Sequence, residues 1–138
     1  MVLMSPLFDV TFGLARTREA LRRDPVIRVR DAQRLLGLYC AGTNLSHPRL
    51  TLDVANGRPL PRTLVQAGGA EFRVADARHL AADITAAGGD CELQVWPDQL
   101  HVFQALPRIT PEAPRAMRHI AQFIAEALRD NIIDRQAG

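Results

Sequence analysis

The 138 residues are about one domain's length, and 47% hydrophobic against 23% charged residues is the balance of a folding chain, not a disordered one. All seventeen basic residues are Arg, which excludes Schiff-base lysine chemistry and lysine-bearing phosphate loops. The formal charge is only +2 and the Arg residues are scattered, so nucleic acid, which needs a basic tract against successive phosphates, is not an expected partner.

Cys40 and Cys91 lack the paired spacing of a zinc knuckle or redox motif, and are expected to be reduced thiols in or near the core of a cytoplasmic protein. No run reaches the ~20 apolar residues that a membrane span requires. The apolar N-terminus, MVLMSPLFDVTFG, has no basic leader and is interrupted by Pro6 and Asp9, so no signal peptide is expected. The weight of Arg, Ala, Gly and Pro suggests a GC-rich coding sequence and a bacterial source.

In chain order, Met1 to Met4 is fully apolar and stops at Ser5-Pro6, which predicts a buried strand. Such a strand normally has neighbours on both sides. Thr17 to Arg23 predicts a short helix with Thr17 as N-cap, ending before Asp24-Pro25. From Asp31 to Cys40, Ala32, Leu35, Leu36 and Tyr39 recur at helical spacing as a buried stripe, with Arg30 and Arg34 off it and Gly42 as the C-terminal cap.

Thr43 to Arg62 has little periodicity and reads as a long surface connection. Thr63 to Ala67 (TLVQA) predicts a strand stopped by Gly68-Gly69. Phe72 to Ala87 predicts a helix through Val74, Ala77, Leu80, Ala81 and Ile84, closed by Gly88-Gly89. Cys91 to Trp96 (CELQVW) alternates as a strand, Pro97 to Leu100 turns, and Met117 to Ile133 forms an amphipathic helix on Ile120, Phe123, Ile124, Ala127 and Leu128. Strands alternating with helices at crossover length predict an α/β protein, a parallel sheet of about three strands with helices packed on its faces.

Ligands of parallel α/β sheets bind outside the carboxyl ends of the strands. After TLVQA comes Gly68-Gly69-Ala70-Glu71, and after CELQVW comes Pro97-Asp98-Gln99-Leu100-His101. Adjacent strands would bring Glu71 and His101 to one rim. A carboxylate accepting the Nδ1 proton of an imidazole fixes its tautomer and leaves Nε2 as a general base. The same residues also read as a carboxylate favouring a helix N-terminus and a part-buried loop histidine. His47, His79 and His119 have no second ligand at metal spacing, so neither metal nor cofactor is expected. Trp96, Phe103 and Phe72 either line a pocket near His101 or fill the core.

The stretch GGAEFRVADARHLAADITAAGGDCELQVWPDQLHVFQ resembles the acid-to-histidine segment of bacterial esterases and lipases in the hormone-sensitive-lipase-like branch of the α/β hydrolases. MVLMSPLFDVT is similar to the strand after that family's nucleophile elbow, DPVIRVRDAQRLLGLYCAG to its following helical region and PLPRTLVQAGG to its next strand. The resemblance implies catalytic roles for Glu71, at the family's acid position, and for His101, the histidine of its H-x-F motif. Asp76 matches a second acidic position with a supporting role. Where many relatives have D-P-L, this chain has Glu71-Phe72-Arg73, with Arg where an apolar residue is usual.

The only serines are Ser5, between Met4 and Pro6, and Ser46, in Leu45-Ser46-His47. Neither has the glycines of G-x-S-x-G, which the strained nucleophile turn requires, and the family's glycine-rich oxyanion motif is also absent. The resemblance therefore implies that residues 1–138 are a C-terminal segment of a hydrolase domain without its nucleophile-bearing N-terminal half. The expected function is carboxylic ester hydrolysis on a small-molecule ester once that half is supplied, with no turnover by this chain alone. The alternatives are a non-catalytic interaction or assembly module derived from a hydrolase, with an exposed sheet edge open to a homo-oligomer, and an unrelated α/β protein in which Glu71 and His101 never meet.

Overall fold

The computed structural model describes the backbone of residues 1–137 and the side chains of residues 1–130. Three strands, β1 (Val2–Met4), β2 (Thr63–Gly68) and β3 (Cys91–Trp96), form one parallel sheet in the order β1-β2-β3. Val2 pairs with Leu64, and Val65 with Leu93. The helices are α1 (Gly13–Leu21), α2 (Val29–Cys40), α3 (Val74–Ala86) and α4 (Ala113–Ala137), with a short 3-10 turn at Phe103–Ala105.

The pleat of β2 explains its continuous burial. Val65 and Ala67 point to one face, where Val74 and Ala77 of α3 cover them with Leu3, Cys91 and Val95. Leu64 points to the other face, against Ile120 and Phe123 of α4 and Val2. A strand covered on both faces has no solvent side, hence its unbroken burial. Gln66 is the polar exception on the α4 face. Its side-chain amide donates to Gln94 Oε1 at 2.8 Å and to Ala116 O at 3.2 Å, and its carbonyl accepts from Gln104 Nε2 at 2.9 Å.

Several elements differ from the sequence expectation for identifiable reasons. Strand β1 is half-buried at a sheet edge, with Met4 42% exposed. Helix α1 starts at Gly13 and ends at Leu21, so Thr17 is internal, with its hydroxyl donating to Gly13 O. The helix entrance is held by Asp9, whose Oδ2 accepts from Leu14 N at 2.9 Å while Oδ1 accepts from Thr11 N. The C-cap of α2 is Ala41 at φ 47°, with Gly42 left-handed beyond it.

On α2 the buried residues are Val29, Ala32 and Cys40, while Leu35 and Tyr39 are exposed. The stripe predicted for α3 is buried as a whole. Helix α4 begins four residues before the expected Met117, because Pro114 is tolerated in a first turn. Ile124 and Leu128 are exposed there, so the buried face is narrower than expected, and the side chain of Ile133 lies outside the described residues. No helix among the described residues is long and apolar enough to cross a membrane.

Candidate active site

The carboxyl ends of the three strands converge. Chain leaving β2 turns through Gly68-Gly69-Ala70 to Glu71 before entering α3, and chain leaving β3 turns through residues 97–100 to His101. Gly68 lets the two turns touch, because a Cβ there would collide with the carbonyl oxygens of Gln99 and Leu100. Backbone bonds then clamp the turns together, from Gly69 N to Trp96 O at 2.7 Å and from Ala70 N to Gln99 O at 3.0 Å.

Glu71 is fully buried, yet both carboxylate oxygens are used. Oε1 accepts from Gly68 N at 2.7 Å and from the Ser5 hydroxyl at 2.7 Å. Oε2 lies 2.5 Å from Nδ1 of His101, whose side chain remains 26% exposed. With Nδ1 turned to the carboxylate, Nε2 is the ring nitrogen free to exchange a proton with a ligand. The residues singled out from the two strand ends are therefore in contact.

Ser5 is no nucleophile by its sequence context, but it has a place in the site. It sits just past β1 with φ 48°, donates to Glu71 and accepts from Val102 N at 3.1 Å. One hydroxyl thus ties the acid to the backbone beside His101. The rule that points to Glu71 and His101, inspecting the residues just past parallel strands, applies equally to β1 and marks Ser5 as a rim residue, though not as a partner of Glu71. Asp24 also escaped the sequence reading. Its buried carboxylate accepts from Val26 N, Ile27 N and Phe72 N, fixing the residue after Glu71 from a distant loop. The signal was Asp24-Pro25, an Asx-turn pair read only as a helix stop.

Asp76 does not reach His101 by any hydrogen bond. It is buried in α3, where Oδ1 accepts from Phe8 N at 3.0 Å and Asp9 N at 2.8 Å while Oδ2 has no partner. Burial raises its pKa above the ordinary aspartate value, against the opposing pull of those bonds and of Arg73. Phe103 and Trp96 pack with Ala113 and Ala116 as core, whereas Phe72 lines a cavity of about 360 Å³ with His101, Leu35, Leu36 and Tyr39. A larger cavity, about 550 Å³, is lined by Phe8, Leu14, Ser46 and His79 and shares no lining residue with it.

Among the described residues no group of three or more His, Cys, Asp or Glu is placed to hold a metal ion. Both cysteines are free, and burial, with Asp90 adding to it, pushes the Cys91 thiol pKa up.

A parallel sheet with helices on both faces and a carboxylate and imidazole paired past adjacent strands is the architecture of an α/β hydrolase. The chain belongs to that family: residues 1–105 match the alpha/beta hydrolase fold. It is 46% identical over 68 residues to esterase LipU of Mycobacterium tuberculosis, covering 49% of this chain and 23% of LipU. It is 28% identical over 131 residues to an acetyl-hydrolase of Streptomyces hygroscopicus, covering 95% of this chain and 44% of that protein.

A solved esterase from the bacterial hormone-sensitive lipase family superposes with a TM-score of 0.79 at 32% identity, over 91% of this chain and 42% of that one. The particular fold is thus part of an α/β hydrolase fold of the hormone-sensitive-lipase type. The chain spans less than half the length of each of these three proteins.

Proposed function

We propose that residues 1–138 are the acid- and histidine-bearing C-terminal segment of a serine carboxylic ester hydrolase. Glu71 orients His101, and Nε2 of His101 takes the proton of a serine supplied by a segment outside this chain. The serine oxygen attacks the ester carbonyl, the C–O bond to the alcohol breaks, and His101 returns its proton to the departing alcohol. Water, deprotonated by the same imidazole, then releases the acid. The observation that carries this reading is the 2.5 Å contact between Nδ1 of His101 and a Glu71 carboxylate with no solvent exposure.

The test has two arms. The chain alone, given p-nitrophenyl acetate, is expected to show no turnover above background. Joined through Met1 to a hydrolase segment that carries a G-x-S-x-G elbow, it is expected to turn over. That activity disappears in His101→Ala and falls by about 10⁴-fold in Glu71→Ala, as when a triad loses its acid. Turnover by the chain alone that survives His101→Ala would refute the assignment.

One observation favours a second reading, a non-catalytic assembly module. Ser5 is committed to Glu71 and Val102, and Ser46 lines the other cavity, so neither serine serves His101. On that reading the segment folds by itself: a monodisperse, cooperatively melting monomer would favour the module, whereas aggregation or obligate pairing through the edge of β1 would favour the truncated enzyme. Both readings place the protein in the cytoplasm with no nucleic-acid partner.

A further inference from the structure

The cavity that holds His101 also holds a cation with no hydrogen-bond or ion-pair partner among the described residues. Arg73, two residues beyond Glu71 in the turn into α3, lines it together with Leu7, Ile27, Leu36 and Phe72. Its guanidinium carbon lies 5.1 Å from the Phe72 ring centroid and 5.7 Å from that of Phe12. These contacts with the aromatic rings hold the group in place but satisfy none of its N–H donors. Arg73 makes no side-chain hydrogen bond or ion pair among the described residues, and its Nη1 is sealed from solvent without a partner. A half-buried charge has lost hydration that the protein does not return, and such groups call for an explanation.

The nearby carboxylates do not supply one. Glu71 is spent on Ser5, Gly68 and His101, and Asp76 stands outside ion-pair distance with its Oδ2 unpartnered. Burial pushes the Arg73 pKa below its ordinary value, and the fields of Asp76 and Glu71 only oppose that. The rest of the cavity is aliphatic or aromatic, apart from His101 itself.

We propose that Arg73 makes this cavity selective for esters that carry a second, anionic group, a carboxylate in particular, bound by the guanidinium while the scissile carbonyl lies at His101. The role as substrate selectivity rests on the hydrolytic reading above; the anion binding does not. Apolar carbons between the two groups fit the walls formed by Ile27, Leu36 and Phe72. A guanidinium is suited to this because its planar fork matches a carboxylate with two donors, here from the edge other than the sealed Nη1.

The test titrates the chain at neutral pH with monomethyl glutarate, an ester bearing one carboxylate, and with uncharged dimethyl glutarate. Binding is followed by NMR at the methyl groups of Ile27 and Leu36, and the low-field Nδ1 proton of His101 is read in the same samples. The monoester is expected to saturate at about tenfold lower concentration than the diester, the scale of one charge-assisted hydrogen bond in a part-exposed site. Arg73→Met, which keeps an apolar stem, brings the two to parity, and Arg73→Lys, which keeps the charge without the fork, retains part of the preference. Parity in the wild-type chain, no binding of either ester, or a preference that persists in Arg73→Met overturns the proposal, and Arg73 would then serve only its ring contacts. A preference without the His101–Glu71 proton leaves the anion site standing and sinks the hydrolytic reading, whereas the proton without a preference does the reverse.

Discussion

Replacing Ser5 separates a network that organises the site from one that merely accompanies it. The Ser5 hydroxyl donates to Glu71 Oε1 at 2.7 Å and accepts from Val102 N at 3.1 Å, in a residue only 5% exposed. Ser5→Ala deletes a hydrogen bond to a carboxylate, a loss of about 1.5–3 kcal/mol, and strands a part-buried N–H at a further cost of about 1 kcal/mol. The expected destabilisation is therefore about 2.5–4 kcal/mol. The backbone supplies an internal control. Ser5 has φ 48°, a left-handed conformation that costs a residue with a Cβ about 1 kcal/mol, so Ser5→Gly should lose about 1 kcal/mol less than Ser5→Ala. Urea unfolding followed by circular dichroism measures both differences. The low-field Nδ1 proton of His101 gives the local readout, since its exchange with water should quicken in both variants, including the less destabilised one. A Ser5→Ala chain within about 0.5 kcal/mol of wild type, the range of ordinary surface substitutions, with unchanged proton exchange, would refute the reasoning.

Other substitutions probe the supports one at a time. Gly68→Ala drives a Cβ into the carbonyl oxygens of Gln99 and Leu100, and is expected to cost about 1–3 kcal/mol and to lengthen the His101–Glu71 contact, seen as loss of the low-field proton. Asp24→Ala strands the buried Phe72 N–H and two further donors, with an expected loss of about 3 kcal/mol in the same unfolding assay. Asp76 gives a pH prediction. Its folded pKa is raised above the ordinary 3.8 by burial, so the folded state binds the extra proton and this group's contribution to stability falls as pH rises from 3.8 through the raised value. Asp76→Asn keeps an acceptor for Phe8 N and Asp9 N without the buried charge. Its stability relative to wild type should therefore increase over that window, and unfolding curves at pH 4 and pH 7 that shift in parallel would contradict this.

The sequence was most legible where one physical requirement dominated. TLVQA reads as a strand because it is a short apolar run stopped by glycines, and the structure buries it throughout; CELQVW is a strand too, but its burial does not follow the predicted alternation and Leu93 is exposed, whereas the α3 stripe is buried as a whole. The α2 stripe misled because spacing reports which residues share a face, not what that face meets. Leu35 and Tyr39 do share one, but it opens onto the cavity beside His101 instead of the core. Thr17 is a residue type that caps helices, yet the capping at α1 comes from Asp9, five residues before the amide it accepts. Residue-type propensity alone does not say which of two nearby capping residues is used.

The parts of the site that stayed hidden were those made by strand order. A sheet of order β1-β2-β3 places the end of β2 between its two neighbours. A carboxylate there can be held from both sides, and Glu71 is, by Ser5 past β1 and by His101 past β3. The places of Glu71 and His101 just past two parallel strands suggested one of these contacts. The other joins residues 66 positions apart and follows only once β1 is known to pair with β2 rather than with β3. The same order explains why the acid, not the histidine, is the sealed member. The central position is covered on both sides, while His101 at the flank keeps part of its side chain exposed.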